Sequence, residues 1–314
     1  MIGDTVDSGD DIYRENVQFQ YHKYFGIFLC IYIGSYLLPV IGLILYLFLI
    51  FKPLFLGVSD LIVLLTSFES LLIFLTFPLV FVGAYLIRLY FVGVFTRIFW
   101  RYTEKKSPTK DGIIPRNITS KTLDYYHYRS FMIKYGKNSF MKGIFPWLSN
   151  WFFNFVGASV IEKGSTIEET VSSDRNIHVK RNVYVGVNSA LASHLVEGIF
   201  GNIIYFKIKV EDNTTLSGLN VVAPGCELKD SSYLLPMAAA TKFNTTKGDN
   251  YYFGMPLRRI FKKKIMDFLK ITEDDLKRSE DLRKKHEIEK LERIEKEKNK
   301  KERAKRKKGE KLNE

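Results

Sequence analysis

Residues 210–234 read VEDNTTLSGLNVVAPGCELKDSSYL, and this stretch decides the fold of the chain. Aliphatic side chains recur in it at every sixth position: Val210, Leu216, Val222, Leu228 and Leu234. A small residue follows each of the first four by four positions: Thr214, Asn220, Cys226 and Ser232. A period of six fits neither an α-helix nor an alternating strand. It is typical of a left-handed parallel β-helix, whose triangular coils have three six-residue sides, each with one aliphatic side chain pointing inward.

Weaker fragments of the same rhythm lie upstream, at Ile161 to Ile167, Ile177 to Val183, and Val179 through Val185 to Leu191. Together the hexads predict a β-helix over residues 155–260. Residues 193–209 interrupt the rhythm and are predicted to form an irregular loop that leaves the coil. This loop carries His194, with Glu197 three residues later, and we expect the chemistry there.

Three features together resemble the hexapeptide-repeat acyltransferases: the hexads, a histidine in a loop that leaves a coil, and the closing stretch Gly254-Met255-Pro256-Leu257-Arg258. Because two apolar segments precede the hexads, the likeness is greatest to the membrane-bound acetyltransferase-like units at the C-terminus of polylysine-synthetase-type enzymes. Those units also carry a His-Leu-x-Glu stretch followed by further hexads. The resemblance implies a membrane-anchored left-handed β-helix enzyme that transfers an acetyl or other short acyl group from acyl-CoA to a hydroxyl or amine.

Acyl transfer from a thioester needs a base that takes a proton from the incoming hydroxyl or amine. Imidazole suits this role because its pKa lies near neutrality. Of the five histidines, His194 stands where the family carries its catalytic base, and Glu197 would orient its ring if the loop curls back. A surface-loop histidine without a catalytic role is the alternative for His194. His178 lies in a strand-like alternation and is expected to face outward.

The resemblance also implies an acyl-CoA site. In the family the pantetheine arm of CoA lies in the groove between adjacent prisms and meets backbone amides of the last coils. The corresponding amides here belong to Ala238, Ala239 and Thr241, and the candidates for the CoA phosphates are Lys242, Arg258 and Arg259. Both residue types bind phosphate well, although Arg258 and Arg259 fit a basic membrane-facing surface equally. The resemblance further implies a homotrimer in which the His194 loop reaches towards the last coils of the neighbouring prism.

Two departures from the family pattern motivate other hypotheses. Leu257 replaces the small residue of the closing motif, and Pro236-Met237 stands where the family is rich in glycine and alanine. Either change would narrow the CoA groove, so a non-catalytic β-helix scaffold in the membrane is the second hypothesis. An enzyme that forms amides from a carrier-bound thioester is the third. No cluster with metal-ligand spacing occurs among the hexads, and no metal is expected.

The N-terminal third is strongly apolar, although the whole chain has 46% hydrophobic residues and a net charge of +13. An acidic segment at 1–24 precedes the transmembrane region at 25–101. Its first apolar run, Phe25–Phe51, exceeds the ~20 residues that cross a bilayer. The two cysteines lie in unlike segments and are expected to stay reduced.

The second apolar run predicts a span over about Asp60–Ile87, with Arg88 snorkelling at its end. Two short spans are the alternative. Residues 88–101, where aromatic and arginine residues alternate, predict a helix in the membrane surface. Glu69 is expected either within the membrane, where carboxylates are often functional, or near the headgroups.

Residues 102–154 interleave aromatic and basic side chains and are interpreted as a connector at the membrane interface. Single-stranded nucleic acid is the alternative partner for such a pattern, and we favour lipid. Basic residues accumulate after the second span, whereas the first loop offers only Lys52. The chain is therefore predicted to be a multi-pass protein of the cell membrane, with both termini and the β-helix in the cytoplasm.

Residues 261–314 are mostly charged. Ile265, Phe268, Ile271 and Leu276 predict one face of a helix, and the basic run Lys298–Lys311 predicts a disordered tail. Such a tail fits an anionic lipid surface better than nucleic acid. The acceptor of the acyl group, whether a small molecule, a glycan or a lipid, is left open by the sequence.

Overall fold

A computed structural model describes residues 20–58, 60–116, 118–168, 175–198, 201–260 and 272–310 of the chain. The chain divides into two compact units, Met1–Arg259 and Ile260–Glu314. The first unit contains an apolar helical hairpin, a helical layer and a β prism. In the second unit the described residues form a charged helix.

The helical hairpin begins with α1, Tyr21–Tyr46, which continues as a π-helical segment at Leu47–Leu56. Pro53 lies in that segment. Proline has no N–H and its ring clashes with the carbonyl four residues earlier, which accounts for the widened helix. The returning arm consists of α2, Leu61–Thr66, and α3, Phe68–Lys106, which packs along α1.

The predicted second span differs from the structure in two ways. The helix is interrupted at Ser67, whose side chain caps α3 by accepting from the Ser70 amide at 3.3 Å. From there α3 runs without a break to Lys106, so the separate surface helix predicted for residues 88–101 is wrong. At the end of the predicted span the Arg88 guanidinium donates to Tyr135 Oη at 2.8 Å and lies 4.5 Å from the Tyr36 ring centre, and its snorkelling at the membrane surface stays a prediction.

The helical layer consists of α4, Lys121–Met141, a 3₁₀ turn at Pro146–Leu148, and α5, Ser149–Val156. Its two helices pack against each other and against α3. A Cβ at Gly136 would lie 2.2 Å from the Phe152 ring, so only glycine lets α5 come this close to α4. The layer joins the prism through α5. There Asn154 Nδ2 donates to the Ile161 carbonyl, and Asn154 Oδ1 accepts from the Ile161 amide.

Three parallel sheets form the sides of the prism. Side 1 contains β2 (Val160–Ile161), β4 (Ile177–Val179), β9 (Ile208–Val210) and β12 (Glu227–Leu228). Side 2 contains β3 (Thr166–Ile167), β5 (Tyr184–Val185), β10 (Thr215–Leu216), β13 (Ser232–Leu234) and β15 (Asn250–Phe253), and β16 (Arg258–Arg259) pairs antiparallel with β15. Side 3 contains β6 (Ala190–Leu191), β11 (Val221–Val222) and β14 (Ala239–Ala240).

The six-residue rhythm is confirmed as the inward register of this prism. All five aliphatic residues between Val210 and Leu234 have 0% exposure. Leu216 pairs with Leu234 and Ile161 with Val179, so each regular coil takes eighteen residues. The prism is thus a three-sided parallel β-helix, and its left-handed sense stays a prediction.

The small residues of the hexads are also fully buried. The polar atoms of Thr214, Asn220 and Cys226 donate to backbone carbonyls of the next coil, and the Ser232 hydroxyl bonds to the Lys229 carbonyl and the Thr246 hydroxyl. Asn220 Nδ2, for example, donates to the carbonyls of Leu235 at 2.7 Å and Ala238 at 3.2 Å. These bonds explain why a small polar residue is suited to this position, since a buried polar group without a partner is costly.

The interruption of the rhythm is not an irregular loop, as the sequence had suggested. It forms an antiparallel hairpin of β7, His194–Glu197, and β8, Asn202–Tyr205, to which β1, Gly112–Ile114, adds a third strand. We call these three strands the arm. The excursion ends at Lys207, because Ile208 already belongs to β9 on side 1.

The second unit is described by α6, Glu273–Glu310. Thr272 begins it with a cap, since its backbone amide and its hydroxyl both donate to Asp275 Oδ2. The helix includes most of the basic run that was predicted to be a disordered tail. The predicted helical face at 265–271 lies outside the described residues, as does most of the acidic segment at 1–24.

Candidate functional site

The arm leaves the prism at the edge between sides 3 and 1, which we call the arm edge. Two later coils turn at the same edge, at Pro224-Gly225 and at 241–244. Phe243 links these corners to the arm, because its amide donates to the Pro224 carbonyl at 3.1 Å and its ring meets Phe206 at 4.9 Å. A Cβ on Gly225 would lie 2.4 Å from the Phe243 ring, so this corner requires glycine.

His194 lies at the base of the arm, half-buried and opposite Tyr205 on the neighbouring strand. Its ring meets the Tyr126 ring of α4 edge-on, with 5.9 Å between the ring centres. The structure therefore positions His194 by a helix that the sequence had not connected with the site. Tyr126 gives the imidazole one fixed neighbour on the helical layer.

Arg175 joins the arm, α4 and the prism at this point. The residue is 2% exposed, and its guanidinium lies 4.3 Å from the Tyr126 ring centre and 5.6 Å from that of Tyr205. Nη1 donates to the Tyr126 carbonyl at 3.2 Å and to Ser130 Oγ at 2.5 Å. A stacked, hydrogen-bonded arginine of this kind is a strong cross-link between elements.

A second histidine belongs to the same neighbourhood and was missed by the sequence. His127 follows Tyr126 on α4. Burial, with Arg116 and Arg175 nearby, lowers the pKa of His127 to about 4. This imidazole is therefore neutral at pH 7, because burial and the two neighbouring arginines disfavour its charged form.

Glu197 does not orient His194 in the described arm. Side chains three residues apart on an extended strand point to opposite faces, with about 10 Å between their Cα atoms. Glu197 forms an ion pair with Lys242 instead. The prediction that the loop curls back is wrong because β7 is extended. Two predicted site residues are nevertheless brought together at the arm edge.

The predicted amide donors for pantetheine are mostly used within the prism. The amides of Ala238 and Ala239 donate to the carbonyls of Leu235 and Gly254, at 3.1 and 3.0 Å. Thr241 is exposed at the arm edge, and its carbonyl accepts from Cys226 Sγ at 2.9 Å. Thr241 is therefore accessible to a ligand, whereas the amides of Ala238 and Ala239 are not.

The two predicted arginines lie elsewhere. Arg258 and Arg259 form the exposed strand β16 at the end of side 2, and Arg259 Nε donates to Asn250 Oδ1 at 2.7 Å. Side 2 lies opposite the arm edge in a three-sided prism. Within one chain the predicted residues therefore form two groups, one around Lys242 at the arm edge and one at β16.

The edge between sides 1 and 2 carries a polar groove of about 710 Å³ that the sequence did not indicate. Its lining residues are Lys180, Glu211, Lys229, Asp230, Thr246, Lys247, Gly248 and Asp249. Two of its lysines are already paired, Lys180 with Glu211 and Lys229 with Glu227. The hydrogen bond from Lys229 lowers the pKa of Glu227, so the groove is a network of ion pairs more than a cationic site.

The remaining edge, between sides 2 and 3, is apolar and exposed. Four successive coils place large apolar side chains there: Val187, Leu219, Met237 and Met255, with exposures of 47, 56, 72 and 72%. Leu219 and Met237 have φ values of +54° and +62°. A left-handed backbone costs a residue with a Cβ roughly 1–2 kcal/mol. Apolar side chains at strained, exposed corners indicate a contact surface.

Other chemistry receives little support from the part of the chain that the structure describes. Within those residues no group of three or more His, Cys, Asp or Glu is placed to hold a metal ion. Cys226 is buried, and burial raises the pKa of its thiol, so it is a poor nucleophile.

No protein-family model and no curated protein matches this chain. Among solved structures, a hexapeptide-repeat-containing acetyltransferase from Vibrio cholerae aligns at 20% identity over 34% of this chain and 64% of that chain, with a TM-score of 0.30. This chain thus spans less than two thirds of that protein. A maltose O-acetyltransferase from Clostridium difficile aligns at 15% identity over 54% of this chain and 86% of that chain, with a TM-score of 0.29. A soybean serine acetyltransferase aligns at 11% identity over 56% of this chain and 76% of that chain, with a TM-score of 0.30. Similarities this low do not identify the family of the chain.

Proposed function

We propose that this chain is a membrane-anchored acyltransferase that moves an acetyl or other short acyl group from acyl-CoA to a hydroxyl or amine. The observation that carries the proposal is the arm. It holds one histidine, His194, against Tyr126 where the chain leaves the prism, and Glu197 on its opposite face pairs with Lys242, next to Thr241. A hexapeptide prism interrupted by an arm that carries an imidazole fits acyl transfer better than a purely structural role.

In this mechanism His194 is the general base. Its imidazole accepts the proton of the acceptor hydroxyl or amine while the oxygen or nitrogen attacks the thioester carbonyl carbon. The new C–O or C–N bond forms, the C–S bond breaks, and the proton passes from the imidazole to the leaving CoA thiolate. Thr241 is the remaining candidate among the predicted amides for contact with the donor. Lys242, which pairs with Glu197, is the predicted phosphate ligand that lies at the same prism edge.

We further propose that the active unit is a homotrimer. In one chain Arg258 and Arg259 lie on side 2, away from the arm edge, and they reach a donor at His194 only from a neighbouring prism. The apolar edge formed by Val187, Leu219, Met237 and Met255 supports such packing, because those side chains are exposed in a single chain. Native mass spectrometry in mild detergent should find three copies of the 36.5 kDa chain. A single copy under conditions of activity would contradict a shared site.

The anchoring part of the proposal rests on the helical hairpin. Tyr21–Leu56 and Phe68–Lys106 are long and apolar enough to cross a membrane, and only 11% of the residues in their most apolar windows are buried. Soluble core helices are mostly buried, so this exposure favours lipid as the surroundings. The part of the hairpin around its turn carries one basic residue, Lys52 in the π-helical segment, whereas basic residues accumulate on the prism side. This asymmetry favours a cytoplasmic prism, where acyl-CoA is found.

A non-catalytic scaffold is the second candidate, and one observation favours it. The amides of Ala238 and Ala239 are already bonded within the prism, next to Pro236-Met237, where the resemblance had implied a pantetheine site. An amide-forming enzyme with a carrier-bound donor is the third candidate. It needs no ligands for CoA phosphates at all.

A donor screen separates the three candidates. Purified protein in nanodiscs would be supplied with acetyl-CoA or longer acyl-CoAs and a panel of sugars, amines and lipids, and the released CoA thiol measured. The proposal predicts acceptor-dependent release, and CoA at a hundred times its Kd should stabilise the fold by about 2.7 kcal/mol. No release and no stabilisation at millimolar CoA would favour the scaffold. Turnover only with a loaded carrier protein would favour the third candidate.

A further inference from the structure

The helical layer forms a V whose open end faces the prism. Its first helix, α4, runs antiparallel to α3, from the prism end towards the middle of the apolar hairpin. Three contacts mark this descent: Arg129 with Glu104 at 3.4 Å, Arg88 with Tyr135 at 2.8 Å, and Tyr85 Oη with the Ser139 carbonyl at 3.4 Å. The C-terminal end of α4 therefore lies beside Tyr85.

The chain then returns along α3 towards the prism. The returning contacts are ring pairs or a cation over a ring: Phe145 with Tyr85 at 6.0 Å, Trp151 with Tyr90 at 6.3 Å, and Arg97 with Phe155 at 4.4 Å. Residues 142–148, which we call the connecting turn, are thus the point of the helical layer farthest from the prism.

The connecting turn exposes large apolar side chains. Ile144 is 66% exposed and Trp147 is 68% exposed, while Phe145 is partly buried against the core. Lys142 at the start of the turn is exposed as well. An exposed tryptophan and an exposed isoleucine on one short turn are unfavourable in water, because burying such side chains in apolar surroundings is favourable.

The level of the connecting turn coincides with the end of the apolar hairpin. Between Phe68 and Ile87 α3 has twenty residues, with Glu69 as the only charged one, and this length amounts to about 30 Å. That is the thickness of the hydrocarbon core of a bilayer. Tyr85, which contacts the turn, therefore lies next to the predicted boundary. On α1 the Tyr36 ring meets Arg88 at the same level, leaving residues 37–56 for the first crossing.

We propose that the connecting turn inserts Ile144 and Trp147 into the headgroup layer of the bilayer on the prism side. This inference rests on the membrane anchoring in the proposed function. Tryptophan is enriched at this level of membrane proteins because its ring is apolar and its N–H needs a polar partner. Lys142 adds electrostatic attraction to anionic lipid. With the hairpin, the turn gives a second fixed point, which sets the tilt of the prism and the height of His194 above the membrane.

The three tryptophans allow a direct test. Trp100 is 4% exposed inside the protein, whereas Trp147 is on the connecting turn. A variant that keeps only Trp147, made by Trp100→Phe and Trp151→Phe, would be placed in nanodiscs of phosphatidylcholine and phosphatidylglycerol. Lipids brominated near the headgroup should quench its fluorescence at least twofold, and aqueous iodide should quench it little. A variant that keeps only Trp100 is the matched control and should respond to neither quencher.

Trp147→Phe in the otherwise unchanged chain is the complementary variant, and it should remove the lipid-quenched part of the emission. Strong quenching of Trp147 by iodide without quenching by brominated lipid would overturn the proposal. Phe81→Trp in a chain without other tryptophans separates this failure from a failure of anchoring, because Phe81 is 46% exposed within the twenty-residue apolar part of α3. If lipids brominated deep in the acyl chain quench Phe81→Trp but lipids brominated near the headgroup do not quench Trp147, only the turn is refuted. If neither quenching occurs, the membrane anchoring fails as well.

Discussion

The prism interior and the arm are both built from short strands, yet they are held together differently. The prism repeats one local rule, an inward aliphatic residue at every sixth position, and each coil bonds to the next. The arm has no repeat. Its outer strand β1 comes from residues 112–114, and its apolar face packs on α4 through Ile203, Tyr205, Leu123 and Tyr126.

The difference suggests a division of labour. A periodic core keeps its shape when one surface residue changes, because every coil has equivalent neighbours. The arm depends on contacts between segments far apart in sequence. Among them, the contacts of Arg175 with Tyr126 help to hold the arm in place against α4. Because His194, the proposed base, lies on the arm, substitutions outside the hexads are expected to change the rate of acyl transfer.

Removing one inward side chain should have the largest effect on stability. Leu216→Ala leaves a cavity in a fully buried column and should lower the free energy of unfolding by about 2–5 kcal/mol. Thr215→Ala, its outward neighbour on β10, should cost less than about 1 kcal/mol. Chemical denaturation of both purified variants tests this contrast. Equal losses would mean that the hexad register is not the source of stability.

Arg175→Met should loosen the arm while sparing the prism. It removes the bonds to the Tyr126 carbonyl and Ser130 Oγ and the cation over the Tyr126 ring, together worth roughly 1–3 kcal/mol. Hydrogen exchange should accelerate at residues 194–205 and stay unchanged at 210–234. Arg181→Met, at the edge between sides 1 and 2, is the control and should leave both regions protected. Uniform acceleration in Arg175→Met would refute a separable arm.

His127 should make the region around the arm sensitive to acid. Its pKa is lowered from 6.5 to about 4 in the folded chain, mainly by burial. Between these pH values the unfolded chain binds a proton at His127 that the folded chain does not, so stability falls as pH drops from 6.5 to 4. His127→Gln takes up no proton in either state and should lose less stability between pH 7 and pH 4.5. Identical losses in melting temperature would contradict the buried, neutral imidazole.

The ion pair between Glu197 and Lys242 should have the smallest effect. Both side chains are about one-third exposed, and pairs of this kind contribute about 0.2–1 kcal/mol. Glu197→Gln should therefore change melting only slightly and lower kcat by less than about tenfold, because Glu197 faces away from His194. A loss as large as that of a base variant would restore Glu197 to the orienting role that the extended β7 argues against.

The prism was predictable because each aliphatic residue of the hexads marks one side of one coil. The arm was not predictable in the same way. Ile203 and Tyr205 alternate with half-buried residues, and this period of two was a signal for a strand. Nothing in the hexads could show that the strand pairs with residues near 113 or packs on α4. The interpretation of His194 and Glu197 as neighbours failed because it assumed a curled loop.

The sequence predicted that the apolar helices exist but not where each of them begins and ends. Hydropathy indicated two long apolar segments, but it could not locate the cap at Ser67 that divides the second one. The sequence placed Arg88 at the membrane boundary but could not show which side chains it contacts. Its partners, Tyr36 and Tyr135, lie on two other helices. Tertiary contacts of this kind leave no periodic mark in a single chain.

The most direct test of the account compares two histidines on one prism. His194 stands on the arm, whereas His178 faces outward from β4 with Nε2 3.2 Å from Glu162 Oε1. The kcat/KM for acyl transfer should fall about 10²–10⁴-fold in His194→Ala and stay within about twofold in His178→Ala, with both variants retaining the melting behaviour of the parent. Equal activity in the two variants, with the fold intact, would contradict the claim that the arm carries the chemistry.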